Sequence, residues 1–156
     1  MARSHNTGDV RAVNRTRLKD TRYGVDHQAV IAGKHSLVIR LSDYANGSPG
    51  ECFIEMDKEG STTGGLLNVI GILLSIMFQT EGVDIKPVLE KLRRMRFEPS
   101  GFVSDEEGNP IEIQSCSSII DYIAHYLQRR YKLGEEATET FPEMPALQNP
   151  DGTGSR

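Results

Sequence analysis

Residues 51–79 read ECFIEMDKEGSTTGGLLNVIGILLSIMFQ, and the spacing of their apolar residues changes partway along. From Glu51 to Asp57 the chain alternates. Cys52, Ile54 and Met56 fall on one side, and Glu51, Phe53, Glu55 and Asp57 on the other, the pattern of a half-buried strand. A glycine-rich turn, Glu59-Gly60-Ser61-Thr62-Thr63-Gly64-Gly65, then runs straight into the apolar stretch Leu66–Phe78. Ser61 or Thr62 can cap a helix reaching Gln79. The stretch is apolar nearly all round, so this helix is expected at the centre of the core.

Upstream, Tyr23–Ala32 reads as a strand, Gly33-Lys34-His35 as a turn, and Ser36–Leu41 as a second strand by its alternation. Tyr44 to Gly50 is dense in turn formers. With Glu51–Asp57 this gives an antiparallel three-stranded meander with one face toward the core. Downstream, Asp84 can cap a second helix with Pro87 in its first turn. Phe97–Gln114 reads as a loop with a turn near Glu107-Gly108-Asn109-Pro110. Ser118-x-x-Asp121 opens a third helix whose apolar face carries Ile119, Ile120, Ile123, Leu127 and Tyr131. Strands followed by about three helices make an α+β domain.

The chain of 156 residues is long enough for one compact domain, and 37% hydrophobic residues suffice for a core. Its net charge of −4 is uneven. Residues 1–22 hold Arg3, Arg11, Arg15, Arg17, Lys19 and Arg22 against Asp9 and Asp20, and read as a flexible basic arm. Residues 133–156 hold five acids and one arginine and read as a disordered acidic tail. The domain is expected over 23–132. Without Trp and with 6% aromatics, an aromatic-lined nucleic-acid surface is not expected. Two cysteines without a C-x-x-C exclude a four-cysteine zinc site and suit a reducing, cytoplasmic setting. No signal peptide is visible, and Leu66–Phe78 is shorter than the roughly 20 apolar residues of a membrane span.

Two blocks can carry chemistry. Gly60 to Gly65 has the outer spacing of a phosphate loop, but Leu66 and Leu67 stand where Lys and Ser/Thr belong, so it is not a Walker motif. A helix N-terminus after Gly, Ser and Thr still presents N–H groups to an anion; the plainer reading is a helix cap with close packing. Arg93, Arg94 and Arg96 follow the second helix, where cations suit the dipole and Arg suits phosphate. Arg96 and Glu98 can instead pair with each other. Gly64, Asn68, Gly71, Ser75 and Gln79 form a small polar stripe along the first helix, fit for close packing, a symmetry mate or a ligand. Cys116 lies at a helix N-terminus, which lowers a thiol pKa, although a lone cysteine is more often structural. His27, His35 and His125 show no ligand spacing.

These residues resemble a known family. Gly47-Ser48-Pro49-Gly50-Glu51-Cys52-Phe53-Ile54, Lys58-Glu59-Gly60-Ser61-Thr62, Arg96-Phe97-Glu98-Pro99-Ser100-Gly101-Phe102 and Ser118-Ile119-Ile120-Asp121-Tyr122-Ile123 are similar to the C-terminal segment of vitamin B12-dependent (class II) ribonucleotide reductases, the TSCPD domain family. The resemblance covers about residues 36–130. Where the motif that names the family falls, at Gln114–Ser118, only Ser115 and Cys116 match.

The resemblance implies a connection to deoxyribonucleotide metabolism. The reductases' catalytic barrel, with its cobalamin site, has no counterpart in the chain, and two cysteines cannot supply the thiyl-radical, reducing and tail thiols of that family. The chain is therefore expected to be a free-standing, non-catalytic accessory domain without a cofactor, one that binds a nucleotide or docks on a reductase chain. Lys58, Gly60, Ser61, Thr62, Arg96, Glu98, Ser100 and Gly101 are the expected ligand-binding residues. In this expectation the helix N-terminus holds phosphate, Arg96 neutralises charge, and Glu98 orients a sugar hydroxyl or Arg96 itself. The alternatives are a sequestering or sensing module for a nucleotide-derived signal, as a mobile element might carry, and a homo-oligomer joined through the polar stripe.

Overall fold

The computed structural model of the chain describes residues 13–56 and 61–134. It has eight elements: β1 (Tyr23–Ile31), β2 (His35–Asp43), β3 (Pro49–Met56), α1 (Thr62–Gln79), α2 (Lys86–Leu92), β4 (Gly101–Ser104), β5 (Pro110–Cys116) and α3 (Ile119–Arg130). The strands form one antiparallel sheet in the order β3-β2-β1-β4-β5. The α+β class is as expected, but the sheet has five strands rather than three.

The two additional strands lie in the segment read as a loop. The four-residue β4 begins at Gly101, directly after Pro99-Ser100, which hides it among chain breakers. Asp105 builds the turn to β5, its carboxylate accepting from the N–H groups of Glu107 and Asn109 and from the Asn109 amide. Pro110 is tolerated because β5 is an edge strand and Pro is its first residue. β4 pairs with β1 through Val30↔Ser104 and Ile31↔Val103, placing β1 at the centre. The β1–β2 hairpin turns on Ala32 and Gly33, both at positive φ (53° and 68°).

The helices cover one face. Ala29, Ile31, Leu37, Ile39, Leu41, Cys52 and Ile54 point into the core from the sheet. Leu67, Leu74, Leu89, Ile119, Ile123 and Leu127 meet them from the helices. On the open face Arg40 bridges Asp26 and Glu55 at 3.2 and 2.9 Å. The caps of α1 and α3 behave locally as read, whereas that of α2 does not. Ser61 Oγ accepts from Gly64 N–H at 3.0 Å, and Ser118 Oγ from Asp121 N–H at 3.0 Å. The Asp84 carboxylate accepts from Lys86 N–H at 3.0 Å, with Ile85 at the N-cap of α2.

The position of α1 differs from expectation. It is not the central buried helix. It lies over β3, an edge strand, and Gly71, Ser75 and Gln79 of its small polar side face inward while Asn68 stays exposed. An edge strand presents unpaired N–H and C=O groups, and α1 satisfies three of them on β3, Cys52 N–H, Cys52 O and Gly50 O. Ser75 Oγ accepts from Cys52 N–H at 2.9 Å, and its one hydrogen is shared between Gly71 O at 2.8 Å and Cys52 O at 3.1 Å. Gln79 Nε2 donates to Gly50 O at 3.0 Å. With 18 residues α1 is longer than the apolar run Leu66–Phe78, and by length and composition alone it could cross a membrane. The polar bonds to β3 make it a helix of the domain instead.

The body begins before Tyr23. Thr16 N–H donates to Gln79 O at 2.9 Å, Arg15 Nε to Gln79 Oε1 at 2.8 Å, and Glu81 N–H to Asn14 O at 3.0 Å. Tyr44 OH donates to Thr16 O, and Arg22 pairs with Glu51 at 2.7 Å. The part of the arm from Asn14 to Arg22 thus lies along the end of α1 and the start of β3.

Candidate functional site

Strand direction brings the two candidate blocks to the same end of the sheet. β3 ends there at Met56, opposite Leu37, and α1 starts there at Ser61 and Thr62. β4 starts there at Gly101, and Ala32 of the β1–β2 turn donates its N–H to Phe102 O at 2.9 Å. Between β3 and β4 stand β2 and β1, so the blocks are three strand spacings apart, roughly 14 Å. Lys58 and Gly60 lie outside the described residues.

Most of the described side chains in these blocks already have partners. Ser61 caps α1. Glu98 does not pair with Arg96. Its two carboxylate oxygens accept from Ser100 N–H at 3.0 Å and Ser100 Oγ at 2.8 Å. These bonds hold the exposed Glu98 carboxyl below its ordinary range, with a smaller contribution from Lys34 and His35. Gly101 has φ of 126°, a conformation that favours glycine, as β4 begins. Arg96 and Thr62 are exposed, and among the described residues Arg96 makes no hydrogen bond or ion pair. Arg93 is committed elsewhere, to Asp121 at 3.0 Å.

The cysteines are not activated. Burial and the Asp121 charge push the Cys116 thiol up to about 11, overriding the helix N-terminus that was expected to lower it. Burial pushes Cys52 up to about 12. Among the described residues no group of three or more His, Cys, Asp or Glu side chains is placed to hold a metal.

The small polar stripe is not a free surface, since β3 occupies its Gly71, Ser75 and Gln79. Among the described residues, the core does not extend to the opposite side of α1. Leu66, Val69, Ile72, Leu73 and Ile76 lie outward there, 37–60% exposed. The run Leu66–Phe78 did signal an all-round apolar helix, but not which side would be left uncovered.

Two buried polar clusters were not singled out from the sequence. His27 stacks on Tyr126 with ring centroids 3.9 Å apart, and its Nε2 lies 2.7 Å from Tyr122 OH. Burial lowers His27 to about 4. Asp43, at the end of β2, receives Arg130 Nη2 at 2.6 Å and Tyr131 OH at 2.5 Å. Both clusters join residues about 90 positions apart or more, so linear spacing carries no sign of them. They lock α3 to the sheet.

Comparison with known proteins follows this geometry. The family model for the TSCPD domain matches residues 12–131, which includes the segment Arg15 to Arg22 beside α1. A vitamin B12-dependent ribonucleotide reductase of Rhodopirellula baltica is 39% identical over 122 residues, 78% of this chain and 11% of the reductase. Those of Agrobacterium fabrum and Bradyrhizobium diazoefficiens are 32% and 34% identical over 117 residues, 75% of this chain and 9% of each reductase. The match thus spans about a tenth of the length of these curated relatives. No solved structure matches the chain.

Proposed function

Because the chain belongs to the TSCPD domain family, we propose that it works as a non-catalytic accessory domain of deoxyribonucleotide metabolism that engages a ribonucleotide reductase chain in the cytoplasm. One observation carries this reading. The family match runs from residue 12 to 131, through every element of the fold, yet the matched stretch is 9–11% of each relative compared here. What is shared with those reductases is this folded unit, and in them it is joined to the rest of a reductase. The thiols support a binding rather than a redox role, since burial holds both protonated at neutral pH.

The test uses the Rhodopirellula baltica reductase with its matched 122-residue segment removed. The chain is titrated into that truncated reductase in a calorimeter. Saturable binding is expected; no heat and no co-elution would refute the reading.

A second reading, binding of a nucleotide or similar anion, is favoured by one feature: exposed Arg96 lies in the same corner as Glu98, which feels the charges of Lys34 and His35. In it Arg96, Glu98, Ser100 and Gly101 hold one end of the ligand, and Ser61 and Thr62, roughly 14 Å away across β1 and β2, hold the other. Arg96→Ala would then weaken nucleotide binding at least tenfold, about 1.4 kcal/mol. Equal heats for both proteins would remove Arg96 from the site. The homo-oligomer expected through the small polar stripe is a separate proposal, in which only Asn68 and Gly64 of that stripe are left uncovered by β3.

A further inference from the structure

We propose that the outward side of α1 is the docking surface for the reductase chain, seated in an uncharged apolar groove of that partner; this rests on the accessory reading above. At 100° per residue, Leu66, Val69, Ile72, Leu73 and Ile76 fall within an arc of roughly 120°, diametrically opposite the arc of Leu67, Gly71, Leu74 and Ser75 that meets the body. A helix burying one side commonly shows one apolar arc, whereas α1 shows two. One is filled by β3 and the core, and the other has the width of a second buried face.

The width and chemistry of the outer arc select its occupant. A seam between two α1 helices of separate copies would need only the narrower line Leu66, Val69, Leu73 and Ile76 and would leave Ile72 at its margin. Five aliphatic side chains, each about half exposed, fall short of the ~800 Å² that each side of a stable interface buries, so any occupant must also contact the flanks of this arc. A groove that wraps the helix covers the whole arc and gains its flanks. No residue from Ser61 to Thr80 is charged, so the groove needs no counter-charge. A lipid surface fits poorly, because helices lying on membranes carry Lys or Arg along the polar side, and the polar side of α1 is bonded to β3. The relatives compared here supply a partner of the required size, since about nine-tenths of each lies outside the matched segment.

The experiment compares the unaltered chain, Leu66→Glu/Leu73→Glu and the milder Leu73→Ser. The truncated Rhodopirellula baltica reductase is the probe. Phe53→Glu, on the open face of the sheet, is the control. Melting curves check folding, and light scattering and flotation with phosphatidylcholine vesicles run alongside. The unaltered chain and the control are expected to bind equally, the double variant at least tenfold more weakly, and Leu73→Ser between them. Equal binding by folded Leu66→Glu/Leu73→Glu and Leu73→Ser overturns the surface and leaves the accessory reading standing. No binding by the unaltered chain overturns both. A dimer, or vesicle binding, that disappears in the double variant assigns the face to another occupant and also overturns the proposal.

Discussion

Gly71 lies against the backbone of Cys52: a Cβ built on Gly71 would stand 2.8 Å from Cys52 O. This close approach lets Ser75, one turn further along α1, reach the N–H and C=O of the same residue. Gly71→Ala must push helix and strand apart, and is expected to cost about 1–3 kcal/mol in chemical denaturation. Gly65→Ala, where the added methyl meets nothing within 4 Å, should instead stabilise α1 by about 0.5–1 kcal/mol. Equal effects from the two substitutions would disprove the contact.

Acid should weaken the fold through His27. Its folded pKa of about 4 lies below the ordinary 6.5, so the unfolded chain takes up the proton first as pH falls. The stability that depends on neutral His27 is complete above pH 6.5 and is lost between there and about 4. The loss is on the order of 2–3 kcal/mol. In His27→Gln, denaturation measured at pH 7, 5.5 and 4.5 should show a correspondingly smaller decline than in the unaltered chain. The groups facing His27 are Tyr122 and Tyr126, phenols that are neutral across this range and that burial raises further. Parallel pH profiles would show that His27 takes its proton as readily folded as unfolded.

Asp121 joins three parts of the molecule. It accepts from Ser117 N–H at 2.9 Å, pairs with Arg93 at 3.0 Å and sits in the first turn of α3, capped by Ser118. Asp121→Ala strands the Ser117 donor and the half-buried guanidinium together. A loss of about 2–3 kcal/mol is expected, read from urea unfolding. Asp121→Asn keeps an acceptor and should lose less. Identical losses would mean that the charge accounts for the whole effect and a neutral acceptor contributes nothing.

The contacts of Asn14 to Arg22 predict that a chain beginning at Tyr23 melts lower than the full chain, by about 5 °C or more. Leu18→Ala should reproduce part of the change. A Cβ on Gly50 would come within 2.4 Å of Leu18 Cδ1, so Leu18 fills that space. Unchanged melting after removal of residues 1–22 would show that these contacts contribute nothing to stability.

The parts of this fold legible in the sequence are those set by local chemistry. Alternation in Ser36–Leu41 and Glu51–Asp57, and the oxygen caps Ser61 and Ser118, each determine an element within a few residues. Helix and strand types followed from them, as did the α+β class. What stayed hidden depends on partners distant in the chain. β4 has only four residues, and its strand character comes from pairing with β1 and β5. The small polar stripe of α1 was legible, but its own residues suit close packing, a symmetry mate or a ligand equally. The choice was made by the free backbone groups of β3, which need Ser75 and Gln79. In the candidate corner, residue types suggested ligand contacts, while the geometry shows Ser61 and Glu98 bonded to their own neighbours. The acidic turn at Asp105 likewise spends its carboxylate on Asn109 and Glu107.

Hydrogen–deuterium exchange on the full chain, alone and mixed with the truncated reductase, tests the docking claim most directly. The account predicts slowed exchange in peptides covering residues 62–80, with β1 and β2 little changed. Protection confined to residues 94–104, with α1 exchanging as in the free chain, would contradict it and move the partner to the Arg96 corner.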